Sequence, residues 1–159
     1  QVKDKSKLTL LRETIKTDNK INILIAQTLI KRGFKKIGVL GLSYKGNLKV
    51  SILSPVIPFI KELLKNDINV EIYDPFFTAE EIKKVLGIKI FNFPKDLAKF
   101  DCLVVTVDHS GFKIKKSILK RYLNKCRFIL DNNGIWKNYK LGNSKMKYYV
   151  SGDKNWLTQ

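Results

Sequence analysis

Two short stretches hold the residues best suited to chemistry. In GLSYKG, residues 41–46, Lys45 stands beside Gly41 and Gly46, where a missing side chain lets the backbone approach an anion closely. In DHSGF, residues 108–112, His109 is the single histidine of the chain, and its ring titrates near neutrality. An ammonium at a glycine turn suits phosphate. A histidine at a loop tip suits capping as well as proton transfer, and residue type leaves both open. The glycines Gly38, Gly41 and Gly46 have neither the GxGxxG spacing of a dinucleotide turn nor the Gly-Lys-Ser/Thr ending of a P-loop, so a generic NAD or ATP site is unsupported. No Ser/His/Asp triad can be singled out, and no residue is assigned as catalytic. Cys102 and Cys126 lie beside the apolar runs DCLVVTV and CRFIL and read as small buried hydrophobes. With one histidine, a zinc site is not expected.

These stretches need a frame to hold them. From Lys35 onward, short apolar runs alternate with helical periods. KKIGVL, INVEIY (residues 68–73), IKIF, CLVVTV (residues 102–107) and RFILD read as five buried strands. After the first, Val56, Phe59, Ile60, Leu63 and Leu64 follow a 3.6-residue period, with Ser54 placed to cap, Pro55 at the first helical position and Pro58 blurring the boundary. TAEEIKKVLG offers Thr78 as cap and Gly87 as terminator. Ile114, Ile118, Leu119, Tyr122 and Leu123 form the apolar face of a last helix. This alternation predicts an α/β fold, a three-layer Rossmann-like doubly wound parallel sheet of about five strands in the order 3-2-1-4-5. Ligands of such sheets bind beyond the carboxyl ends of the strands where the order reverses. GLSYKG and DHSGF fall there.

Ahead of this domain, residues 1–34 form a helical segment. Ile21, Leu24, Ile25, Thr28 and Leu29 recur at helical spacing until Gly33, and Ile23 and Ile30 widen the apolar face, so the helix packs on its own domain or on a partner subunit. The α/β domain is expected over residues 35–159.

The net charge of +17 raises the question of nucleic acid. Most of the 31 basic residues are lysines spread along the chain; the arginines are Arg12, Arg32, Arg121 and Arg127. Groove readers rely on the guanidinium fork. A specific nucleic-acid partner is therefore not expected, and nonspecific polyanion binding stays as an alternative. No apolar stretch approaches the ~20 residues that span a bilayer, and QVKDKSKL lacks the apolar core of a secretory signal, so a cytoplasmic protein without membrane contact is expected.

In order along the chain, GLSYK, Ser54-Pro55, Tyr73-Asp74-Pro75, TVDH (residues 106–109) and LDNNGIW (residues 130–136) resemble the C-terminal domain of the UDP-glucose/GDP-mannose dehydrogenase family, the nucleotide-sugar 6-dehydrogenases. The resemblance covers residues 35 to about 155, and the preceding helix is similar to the segment that leads from the family's dimer-forming central domain. It implies the UDP-sugar-binding part of an enzyme that oxidises a C6 alcohol to a carboxylate in two NAD-dependent steps, as a homodimer. Tyr44 and Lys45 map to the aromatic-lysine pair that contacts the nucleotide sugar, and Gly41, His109 and Asn133 are expected to join them as substrate-binding residues. The cofactor fingerprint and the catalytic cysteine belong to domains that this sequence does not include, so no cofactor is expected on this chain alone. Gln1 falls inside a helical pattern, which favours a segment cut from a longer protein. The chain departs from the family at Lys49 or Val50 and Ile52, where an Asp and an Arg are usual, and at Asn133, where an Arg helps hold the nucleotide. Losing that guanidinium removes charge-assisted bonds of about 1.5–3 kcal/mol each. The Gly-Ile-Trp ending resembles the branch acting on N-acetylated hexosamines such as UDP-N-acetylmannosamine. A degenerate, noncatalytic interaction module of the same fold is the principal alternative.

Overall fold

The computed structural model describes residues 5–153; the outermost residues of both predicted segments, 1–4 and 154–159, lie outside them. Helix α1 (Lys5–Lys31) leads to β1 (Lys36–Leu40), followed by α2 (Val56–Lys65), β2 (Asn69–Tyr73), α3 (Ala79–Leu86), β3 (Lys89–Ile90), β4 (Cys102–Val105), α4 (Lys116–Tyr122), β5 (Phe128–Asp131) and β6 (Lys147–Val150). All neighbouring strands are parallel, in the order β3-β2-β1-β4-β5-β6. The expected order is therefore present, with a sixth strand added beyond β5.

The central strands are apolar on both faces because both faces are covered, as parallel sheets require. Val39, Ile72, Val104 and Leu130 point to the side of α1, α2 and α3, where they pack with Leu29, Phe59 and Ile60. Their chain neighbours Leu40, Leu103, Val105 and Ile129 point to the other side, under Phe112, Leu119 and Trp136. Cys102 and Cys126 are buried, one in each core.

Local signals set the helix ends. Thr78 and Glu81 form a reciprocal capping box at α3, and Gly87 ends it in the left-handed region at φ +71°. At α2, Pro55 takes the cap position expected of Ser54, whose Oγ accepts from the Val56 N–H at 3.3 Å. Two expected apolar faces are narrower than their spacing implies. In α1, Ile25 and Leu29 are buried, whereas Ile21 and Leu24 are 50% and 58% exposed, since α2 covers only one side of the helix. In α4, a helix of seven residues, Leu119 alone is buried and Ile118, turned roughly 100° from it, is exposed. No helix among the described residues is long and apolar enough to cross a membrane.

Candidate functional site at the carboxyl edge of the sheet

Because β2 and β4 lie on either side of β1, the segments that follow these three strands meet at one edge. Gly41 makes the exit from β1. Its φ of +105° is in the region that favours glycine, and a Cβ there would run into the Val107 side chain. Its N–H donates to the Tyr73 carbonyl at 2.8 Å, while the single hydroxyl proton of Thr106 Oγ1 is shared between the carbonyls of Leu40 and Gly41, 2.8 and 2.7 Å away.

The chain then turns over the carboxylate of Asp74, the middle residue of Tyr-Asp-Pro. Asp74 Oδ2 accepts from the N–H groups of Leu42 (2.7 Å) and Ser43 (3.0 Å) and from Ser43 Oγ (3.1 Å), and Oδ1 accepts from Phe76 N–H (2.9 Å). His109 Nε2 lies 3.0 Å from Oδ2, and both side chains are fully buried. Burial pushes this carboxyl's pKa up, but the hydrogen bonds from His109, Phe76, Leu42 and Ser43 outweigh it and hold Asp74 below the usual carboxylate value.

The other ring nitrogen of His109 is also used. The backbone N–H of Asn47 donates to Nδ1 at 2.8 Å, so Nδ1 is an acceptor and the ring proton sits on Nε2, facing Asp74. Asn47 Oδ1 accepts from the N–H and Oγ of Ser110 at 2.9 and 3.0 Å. Asn47 itself is left-handed, at φ +58°. A side chain on Gly46 would strike Asp108, so the loop lies directly against the segment that carries His109.

Above this buried base, the Tyr44 N–H donates to the Val50 carbonyl at 2.6 Å and closes a loop whose side chains face outward. Lys45 is exposed, and Tyr44, Ile52 and Leu53 are 61%, 79% and 69% exposed. Tyr44, Ile52 and Leu53 form one wall of a groove of 280 Å³, opposite Thr14, Asp18 and Asn19 of α1. Lys49 turns the other way, to an ion pair with Glu81 at 2.6 Å and a position over the Phe77 ring. Thus one residue at the family's acidic position is tied to α3.

Gly41, Tyr44 and Lys45 share one rim, whereas His109, expected among the substrate-binding residues, is fully buried beneath it with both ring nitrogens engaged by Asp74 and Asn47. Asn133 is exposed after β5, two strands over from β1. Beside it, Asp131 Oδ2 accepts from the Trp136 N–H (2.9 Å) and the Tyr148 hydroxyl (2.7 Å). Burial, then the hydrogen bond to Asp131, push the Tyr148 hydroxyl's pKa upward. Asp74 and Asn47 are the members that a search for reactive residue types passes over. The Tyr-Asp-Pro signature pointed to the first; nothing local marks the second.

A lysine-bearing turn, braced from below, thus sits at the reversal point of a doubly wound sheet, the edge at which α/β domains of this class bind their ligands. The chain belongs to the UDP-glucose/GDP-mannose dehydrogenase family: the model of that family's UDP binding domain matches residues 38–138. It is 29% identical over 110 residues to a UDP-N-acetyl-D-mannosamine dehydrogenase of Methanococcus aeolicus, covering 64% of this chain and 24% of that protein. It is 30% identical over 99 residues to a UDP-N-acetyl-D-glucosamine 6-dehydrogenase of Salmonella typhi, covering 60% and 23%. The fold is shared with the UDP-D-ManNAc dehydrogenase of Pyrococcus horikoshii (TM-score 0.58, 21% identity, 80% of this chain and 28% of that one). It is shared also with an NDP-N-acetyl-D-galactosaminuronic acid dehydrogenase of Methanosarcina mazei (TM-score 0.62, 20% identity, 80% and 27%). This chain spans about a quarter of the length of the curated relatives it matches.

Proposed function

We propose that this chain is the nucleotide-sugar-binding part of an NAD-dependent UDP-sugar 6-dehydrogenase, cytoplasmic and homodimeric as a whole enzyme. The observation that carries the reading is the outward presentation of Tyr44 and Lys45 from a loop whose base is fixed by buried hydrogen bonds. Lys45 is the cation for the diphosphate, Tyr44 supplies an apolar face, Gly41 lets the turn form, and His109 acts from below. Asn133 offers neutral hydrogen bonds where a guanidinium is usual, which makes affinity for UDP modest. The names of the relatives and the Gly-Ile-Trp ending support an N-acetylated hexosamine as the sugar. Gly38, Gly41 and Gly46 do not have the spacing for NAD, and the buried Cys102 and Cys126 cannot reach a substrate, so the chain contributes binding and not oxidation.

Calorimetric titration of UDP and of UDP-N-acetylhexosamines into the chain tests this. Saturable heat that Lys45→Ala weakens about tenfold or more, the loss of a charge-assisted contact, is expected, with no NAD reduction by the chain alone. Absence of heat at millimolar UDP overturns the reading and favours a noncatalytic interaction module, for which the exposed Ile52 and Leu53 would be the contact surface. Binding that falls steeply with salt and does not distinguish UDP from unrelated phosphates indicates a polyanion binder instead.

A further inference from the structure

We propose that His109 is a positioning residue for the ligand loop, acting through the acceptor state of its Nδ1 atom. The inference rests on the binding role proposed for Tyr44 and Lys45 and assigns what sets their geometry. His109 has no exposed surface, so it does not touch a ligand. Its ring stands between Phe76 and Phe112, with centroids 5.0 and 5.2 Å away, and so cannot swing. Held there, its two nitrogens do different work. Nε2 donates to Asp74, which is already bound to Leu42 and Ser43 at the start of the loop. Nδ1 receives the N–H of Asn47, two residues beyond Lys45. The loop is thus pinned on both sides of Tyr44 and Lys45, and the second pin is a single backbone bond to the ring. Among the described residues, that pin is supported by the pair of bonds from Ser110 to the Asn47 side chain. Asn47 lies in the left-handed region at φ +58°, which asparagine adopts more readily than most residues, so these bonds rather than backbone strain fix the loop here.

Two substitutions separate the two nitrogens. In His109→Asn the side-chain oxygen can take the place of Nδ1 while the donor to Asp74 is lost; in His109→Gln the amide nitrogen can take the place of Nε2 while the acceptor for Asn47 is lost. Amide hydrogen exchange by NMR on the 159-residue chain reads the pin directly, and UDP titration reads its consequence. The expected result is that the Asn47 amide is protected in the wild type and in His109→Asn but exchanges freely in His109→Gln, with Leu42 and Ser43 still protected in the latter. UDP affinity then falls about fivefold in His109→Gln, the order of one hydrogen bond, and recovers in His109→Asn. Asn47→Ala, which removes the two bonds from Ser110 and puts alanine at a left-handed φ, should weaken UDP to a similar degree and lower the melting temperature by a few degrees, with Leu42 and Ser43 still protected from exchange. If both histidine variants lose Asn47 protection and affinity alike, in step with their loss of stability, His109 is structural only and the proposal fails. It fails equally if His109→Gln keeps the Asn47 amide protected. A wild type that binds no UDP refutes the binding role, whereas the exchange pattern still decides whether the pin exists.

Discussion

Asp74→Asn puts the buried centre of this site to a quantitative test. The carboxylate accepts five hydrogen bonds, four on Oδ2 and one on Oδ1. An asparagine keeps one acceptor oxygen, so its NH₂ group must face a donor. The least disruptive arrangement keeps the four partners of Oδ2 and turns the NH₂ toward the Phe76 N–H. That forfeits one charge-assisted bond, roughly 2 kcal/mol, and reduces the others to neutral bonds, against the relief of no longer burying a charge; the balance is a loss of about 3 kcal/mol. For a chain of this size the melting temperature should drop by about 6–12 °C. The pH dependence gives a second signature. Since the folded pKa of Asp74 lies below its ordinary value of 3.8, its contribution is fully present above pH 3.8 and is lost as pH falls through the lower folded value. The wild-type advantage over Asp74→Asn should therefore be constant from neutrality to about pH 5 and shrink below pH 3.8, where a protonated Asp74 resembles asparagine. Urea denaturation of both proteins at a series of pH values measures this. A difference under about 1 kcal/mol at pH 7, or one that does not diminish in acid, would refute the account of Asp74 as the charged hub of the turn.

Two further outcomes follow from the same geometry. Gly41→Ala combines a φ of +105° with a clash against Val107 and should cost upwards of about 3 kcal/mol, visible as a lowered urea midpoint together with loss of UDP binding. Burial pushes the thiol of Cys102 well up and that of Cys126 up to about 12, so neither should react with a disulfide reagent at pH 8 until denaturant is added; fast labelling of the native chain would contradict the buried placement.

Most of the frame was legible in the sequence because periodicity reports burial, and the central strands are buried on both faces. Where burial is partial, the signal faded. The missed strand β6, Lys-Tyr-Tyr-Val, is half-buried, and its two tyrosines with a lysine carry no clean alternation. Strand β3 has two paired residues, both exposed, fewer than IKIF suggested. Ile118 shows the opposite error, an apolar residue at helical spacing on a helix too short to bury it. At the site, the glycines and Lys45 could be placed on the correct edge from topology alone. The bonds joining His109 to Asp74 and Asn47 span 35 and 62 residues and depend on the strand order, so no local pattern announces them. His109 read as a loop-tip residue for that reason, although it proves to be enclosed.

The two outermost strands of the sheet bear on how the protein behaves in solution. A row of parallel apolar strands ends in backbone groups that could zip onto another molecule. Here one end is closed by the two-residue Lys89-Ile90 pair and the other by a strand that opens with Lys147. Short length at one margin and positive charge at both discourage molecules from adding edge to edge. Neutralising Lys89 and Lys147 would remove that protection first at the margins, ahead of any change in the folded core.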